Sequence, residues 1–342
     1  MALLKNSEGR PEIARLHPTA AIPGGELQIY GKNLLRGERP RVTVGNMRAP
    51  LIVASDTYMV ARVPEGAEAG ELVVENGEKS SRACVCDIAV QIADTLHPVA
   101  NPAIDVKGNI FTTVSGSRGQ KTPVSVYKID LHHNIRPFLT DIMNATGLAF
   151  DGNGMLYVSS RHDGIIYQVT PAGAMSVFAE GMGVATGIAF DPEENLYVGD
   201  RSGTIFKIAP NRQIYVFATL EGSISAYHLA FGPDCALYVT GPTTSSFDSV
   251  YRVSPEGVVE VFYRGLGRPQ GLAFDIQGRM YVAASLRGRK GVVRIGYDGK
   301  AELFASGPGI VGLAFTPSDA LCLATNSALY KLDAGIQGKQ LI

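Results

Sequence analysis

The stretch GLAFDGNGMLYVS, residues 147–159, decides the fold because it returns five more times along the chain. Its gapless counterparts are NPAIDVKGNIFTT (101–113), GIAFDPEENLYVG (187–199), HLAFGPDCALYVT (228–240), GLAFDIQGRMYVA (271–283) and GLAFTPSDALCLA (312–324). Successive starts lie 46, 40, 41, 43 and 41 residues apart. Each copy reads as a short apolar strand, a turn rich in Asp, Gly and Pro, and a second strand ending in a Leu-Tyr-Val type run. A second half follows each first half, as in IIYQVTPAGAMSVFA (165–179), SVYRVSPEGVVEVFY (249–263) and finally ALYKLDAGIQGKQLI (328–342). Its β-branched and aromatic alternation predicts two more strands around a turn. Four strands in about 40–45 residues is the period of a propeller blade. Six copies predict a six-bladed β-propeller over residues 95–342.

Residues 1–94 do not share the repeat. Strand-like runs at 12–17, 27–31, 41–45, 58–63, 71–75 and 82–93 alternate with turn signals such as Pro23-Gly24-Gly25 and Asn76-Gly77. That spacing predicts a small β-sandwich ahead of the propeller, and the whole chain is expected to be all-β. Two segments compete to close the ring: Ile88–Ala93, ahead of the first blade, and Lys339–Ile342, in the fourth-strand position of the sixth repeat.

Composition narrows the function. Lys and Arg number 31 against 32 Asp and Glu, a net charge of −1, which argues against binding polyanions with the whole molecule. No apolar run approaches the ~18–20 residues of a membrane span. The N-terminal MALLKNSEGRPEI lacks the apolar stretch of a secretory signal, so a cytoplasmic chain without membrane contact is expected. The four cysteines, two of them in Cys84-Val85-Cys86, read as reduced thiols rather than a disulfide framework or a zinc site.

Two families share these patterns. The N-terminal run from Pro18 through Gly24-Gly25 to the Ile-x-Gly-x-Asn stretch ending at Asn33 resembles the immunoglobulin-like IPT/TIG domains. The repeats resemble the NHL and SMP-30/gluconolactonase-like six-bladed propellers, a likeness that reports fold more than chemistry. In the gluconolactonase-like family, the residues just before each inner strand hold a catalytic divalent metal. Here those positions are Ala100, Thr146, Thr186, Tyr227, Gln270 and Val311, which offer no carboxylate. A hard cation needs oxygen ligands that include carboxylates, so neither a metal nor another cofactor is expected. The NHL likeness also implies a structural, backbone-bonding role for Asp200.

Loops between the second and third strands lie on the same face as these positions. The long ones, 114–124, 241–248 and 284–290, come from blades 1, 4 and 5, which makes this face the expected site. Candidate ligand-binding residues are Thr146, Thr186, Tyr227, Gln270 and His228 at the channel mouth, with Arg268, Arg287 and Arg289 on blade 5. His228 stands where four other copies have glycine. It reads either as a ligand partner or general base, or as a plug satisfied by backbone. Asp163 reads as a turn cap and His132-His133 as solvated.

No nucleophile elbow, HExxH pair or P-loop occurs. The sequence therefore favours a non-catalytic recognition module, with a small anionic or polar ligand or a protein partner on the loop face. A gluconolactonase-like hydrolase of lactones or esters with a non-standard site is the alternative. RNA on the arginine-rich blade and a dimer through the N-terminal domain are weaker readings.

Overall fold

The computed structural model describes residues 9–35, 39–116 and 120–339. None of them is helical, and the chain is all-β. It divides into two compact units: Met1–Val90 with Leu303–Pro308, and Gln91–Glu302 with Gly309–Ile342.

The first unit is an immunoglobulin-like sandwich. One sheet orders Glu12–His17, Glu26–Lys32, Tyr58–Arg62 and Leu51–Ala54; the other places Gly70–Asn76 between Cys84–Ile88 and Arg41–Val44. Alternation sets the core. Leu27, Ile29, Val42, Val44, Leu72, Val74 and Cys86 point inward and are buried, while Thr43 and Val73 between them are only half-buried. Burial also pushes the Cys86 thiol up to about 11, which keeps it protonated and unreactive near neutral pH.

The second unit is the propeller. Blade 2 runs Ala145–Phe150, Leu156–Ser160, Ile166–Val169 and Met175–Ala179, all antiparallel; blades 1 and 3 repeat the order. Blade 4 runs from His228–Phe231 to Val259–Gly267. Blade 6 consists of Ile310–Phe315, Leu321–Thr325 and Leu329–Leu332, with Val90–Ala93 as its outer strand. The ring is thus closed by the segment ahead of blade 1. The other contender, 339–342, lies outside the described residues from 340 onward.

Two repeated devices explain the repeated residues. First, the turn aspartate binds its own loop. Asp191 Oδ1 accepts from the Glu193 and Asn195 amides (3.0 and 2.8 Å), and Oδ2 accepts from the Tyr197 hydroxyl (3.1 Å). Asp151 with Tyr157, and Asp275 with Tyr281, do the same, and blade 4 moves the role to Asp234 with Tyr238. Second, the second-strand aromatic wedges between blades. Tyr197 meets Phe217 of its own blade and Phe231 of the next, edge to face at 4.9 and 5.0 Å. Tyr157 and Tyr238 repeat that geometry. The periodic Asp, Tyr and Phe are therefore scaffold.

Candidate functional site

The first residues of the six repeats are Asn101, Gly147, Gly187, His228, Gly271 and Gly312. Four are glycines, and each has another blade's backbone where its side chain would be. A Cβ on Gly147 would lie 2.3 Å from the Thr186 carbonyl oxygen, and one on Gly312 2.3 Å from that of Ala100. Hydroxyls at the end of the second strand clamp the same carbonyls. Thr113 donates to the Thr146 carbonyl at 3.2 Å, Ser159 to that of Thr186, and Thr240 to that of Gln270.

This packing engages several of the expected site residues. Thr146 and Thr186 are buried, and their hydroxyls donate to the Asn144 and Gly199 carbonyls at 3.0 and 2.8 Å. Tyr227 is buried too, its phenol donating to the Glu221 carbonyl. Burial also raises its pKa well above the ordinary tyrosine value. All three hydroxyls are thus engaged by backbone carbonyls close to them in the fold. Gln270 is half-buried, with its backbone N–H on the Ala283 carbonyl at 2.8 Å. Asp200 also bonds locally, accepting from the Val184 amide at 2.9 Å and from Ser202. Asp163 caps its own turn through the Ile165 amide at 3.1 Å.

A divalent metal of the kind held by gluconolactonase-like propellers does not fit here. The ring has no carboxylate, its hydroxyls are committed, and the repeat's aspartates are held by their turns. Among the described residues, no group of three or more His, Cys, Asp or Glu could hold an ion.

His228 is different. It is 2% exposed, and its Nε2 has no hydrogen-bond partner. Desolvation lowers its pKa to about 4, so the ring is neutral at physiological pH. It lines a channel of about 370 Å³ that runs among the six inner strands. Asn101 stoppers the same end, donating to the Leu272 carbonyl (3.0 Å) and accepting from the Leu313 amide (3.1 Å). The channel walls are the Gly-Leu-Ala-Phe runs, and its mouth lies at the turns between first and second strands, where Val106 and Asp319 are exposed. The channel therefore opens on the face opposite the one the loop lengths suggest.

A strap crosses that mouth. Gly338 bridges to Asp275, and the Lys339 amide donates to the Phe274 carbonyl at 2.9 Å. The Lys339 ammonium donates to the carbonyls of Phe231 and Gly232 (3.1 and 2.7 Å), and burial lowers its pKa. Nothing in the repeat pattern marks this strap. Asn101 and His228, which stand where the other four repeats have glycine, are the signal in the sequence for the channel's closed end.

On the other face, Arg268 lines a recess of about 410 Å³ with Thr243–Ser246 and Ser285. Arg287 and Arg289 sit beyond it at the tip of a hairpin in which Leu286 pairs with Arg289. The structure thus separates His228 from the three arginines.

Over residues 11–85 the sequence matches the family model of the IPT/TIG domain. The N-terminal segment is an IPT/TIG domain. No curated protein sequence matches the chain. Solved structures resemble it in fold. An auxiliary nutrient binding protein from Bacteroides thetaiotaomicron has a TM-score of 0.58 at 11% identity, covering 94% of this chain and 97% of that one. A gluconolactonase from Xanthomonas campestris gives 0.57 at 15%, covering 72% and 89%. Virginiamycin B lyase from Staphylococcus aureus gives 0.53 at 14%, covering 71% and 98%. Together they establish an IPT/TIG domain with a propeller of a fold that also occurs in binding proteins and in enzymes.

Proposed function

We propose that the protein is a non-catalytic binding module whose propeller admits a small molecule to its central channel. The ligand has an apolar body along the channel and one hydrogen-bonding group that ends on His228. The observation that carries this reading is a buried imidazole nitrogen without a partner beside a channel of about 370 Å³. Leaving such a group unsatisfied costs about 1–3 kcal/mol. Water that enters satisfies it, and a ligand must match the bond that this water makes. A neutral imidazole has one donor and one acceptor nitrogen, which suits a hydroxyl or an amide.

The fold is shared with a nutrient-binding protein and with a gluconolactonase, so fold alone does not choose between binding and turnover. The donor set argues against lactone or ester hydrolysis. The repeat's carboxylates serve their own turns, and His228 has no nucleophile or carboxylate bonded to it. A general base without those partners is half a catalytic apparatus.

Calorimetry with phenol, and with toluene as its counterpart lacking the hydroxyl, tests this. Phenol is expected to bind about tenfold more tightly, the value of one net hydrogen bond, and His228→Leu to erase the preference. Equal affinities for the two, or hydrolysis of gluconolactone that His228→Leu abolishes, would refute the reading.

A further inference from the structure

The loop-face recess has a composition of its own. Thr244, Ser245, Ser246 and Ser285 bring four hydroxyls to its wall beside Thr243, and Arg268 brings a positive charge. Asp248 anchors the loop, its Oδ1 accepting from the Thr243 amide and hydroxyl at 3.0 and 2.6 Å. The hydroxyl display is therefore held from beneath by a buried side chain. Directly after Ser246 comes Phe247, 69% exposed at the end of the loop, just before the strand Asp248–Val253. Burying a phenyl ring is favourable, so one left in water beside a polar recess offers a flat apolar face to a partner. Arg268 is exposed and forms no ion pair among the described residues. Next to the recess, the 286–290 hairpin adds Arg287, Arg289 and Lys290.

We infer that this recess binds an anionic sugar, a pyranose ring carrying a carboxylate or a phosphate. Its hydroxyls exchange hydrogen bonds with the Thr244, Ser245, Ser246 and Ser285 side chains, its apolar ring face lies on Phe247, and its charged group meets the Arg268 guanidinium. Arginine suits that task because its planar fork matches carboxylate and phosphate oxygens. The site is separate from the channel and independent of the channel's ligand.

Saturation-transfer NMR and calorimetry on the full chain provide the test, with glucuronate, glucose 6-phosphate, glucose and inorganic phosphate as probes. Glucuronate or glucose 6-phosphate should bind at least tenfold more tightly than glucose. Comparing the two identifies which anionic group the site prefers. Phe247→Ala and Arg268→Gln should each weaken binding about tenfold, with unchanged thermal unfolding because both side chains are on the surface. Binding that survives both substitutions, inorganic phosphate bound as tightly as either sugar acid, or no binding of either at millimolar concentration would overturn the inference.

Discussion

Replacing Gly312 by alanine is expected to destabilise the propeller by about 3 kcal/mol, the upper range for overpacking a filled interior. The new Cβ would stand 2.3 Å from the Ala100 carbonyl oxygen, 2.7 Å from its carbon and 2.8 Å from the Asn101 Cα. All three are backbone atoms, so no side chain can turn aside, and blade 6 must move away from blade 1. Blade 6 is also where the ring closes, on Val90–Ala93. Calorimetric unfolding should show a fall of about 6–12 °C at ~2–4 °C per kcal/mol. An unchanged midpoint would mean that the blades are not pressed together at the axis. The local pairing explains why glycine is needed there. Blades 2, 3 and 6 carry a register shift at this point, whereas blade 4 runs in register from His228↔Thr240 onward. A bulge that turns a strand toward another backbone selects glycine, and the regular blade accepts a histidine.

Acid is expected to weaken the fold through His228. Its pKa is lowered from 6.5 to about 4 by burial. Between those values the unfolded chain holds a proton there that the folded chain does not. Stability from this group is therefore complete above pH 6.5 and falls as pH drops toward 4. The loss amounts to about 3 kcal/mol at ~1.4 kcal/mol per unit. Other carboxylates and histidines contribute to acid unfolding as well, so the informative quantity is a difference. His228→Leu should lose about 3 kcal/mol less than the parent between pH 7 and pH 4, measured by urea unfolding at each pH. Parallel stability curves for the two proteins would show that the imidazole takes up its proton without penalty.

Much of the architecture was legible because the residues that build it repeat. Asp151, Asp191 and Asp275 each precede a tyrosine by six positions, and that spacing is the turn that binds them. Ring closure was not legible. Val90–Ala93 and the C-terminal segment share the same local alternation, and only a pairing between distant residues, with Leu329–Leu332, distinguishes them. Of the candidate site, one residue was legible. His228 stood out as a departure from glycine, and it does line the channel. For Thr146, Thr186 and Tyr227, position along the repeat predicts nearness to the axis but not the nearby backbone carbonyls of Asn144, Gly199 and Glu221, which take their hydroxyls. The direction in which the channel opens depends on Asn101 reaching across to Leu272 and Leu313, a contact between blades that no local pattern encodes.

The most direct test of the binding role is the side-chain nitrogen NMR spectrum of His228 during titration with phenol, assigned by its loss in His228→Leu. A guest hydroxyl bonded to Nε2 shifts that nitrogen's resonance saturably, with the dissociation constant found by calorimetry, while toluene leaves it in place. A His228 spectrum that stays fixed as phenol saturates the protein would contradict the account, because the ligand would then be bound somewhere other than the blind end of the channel.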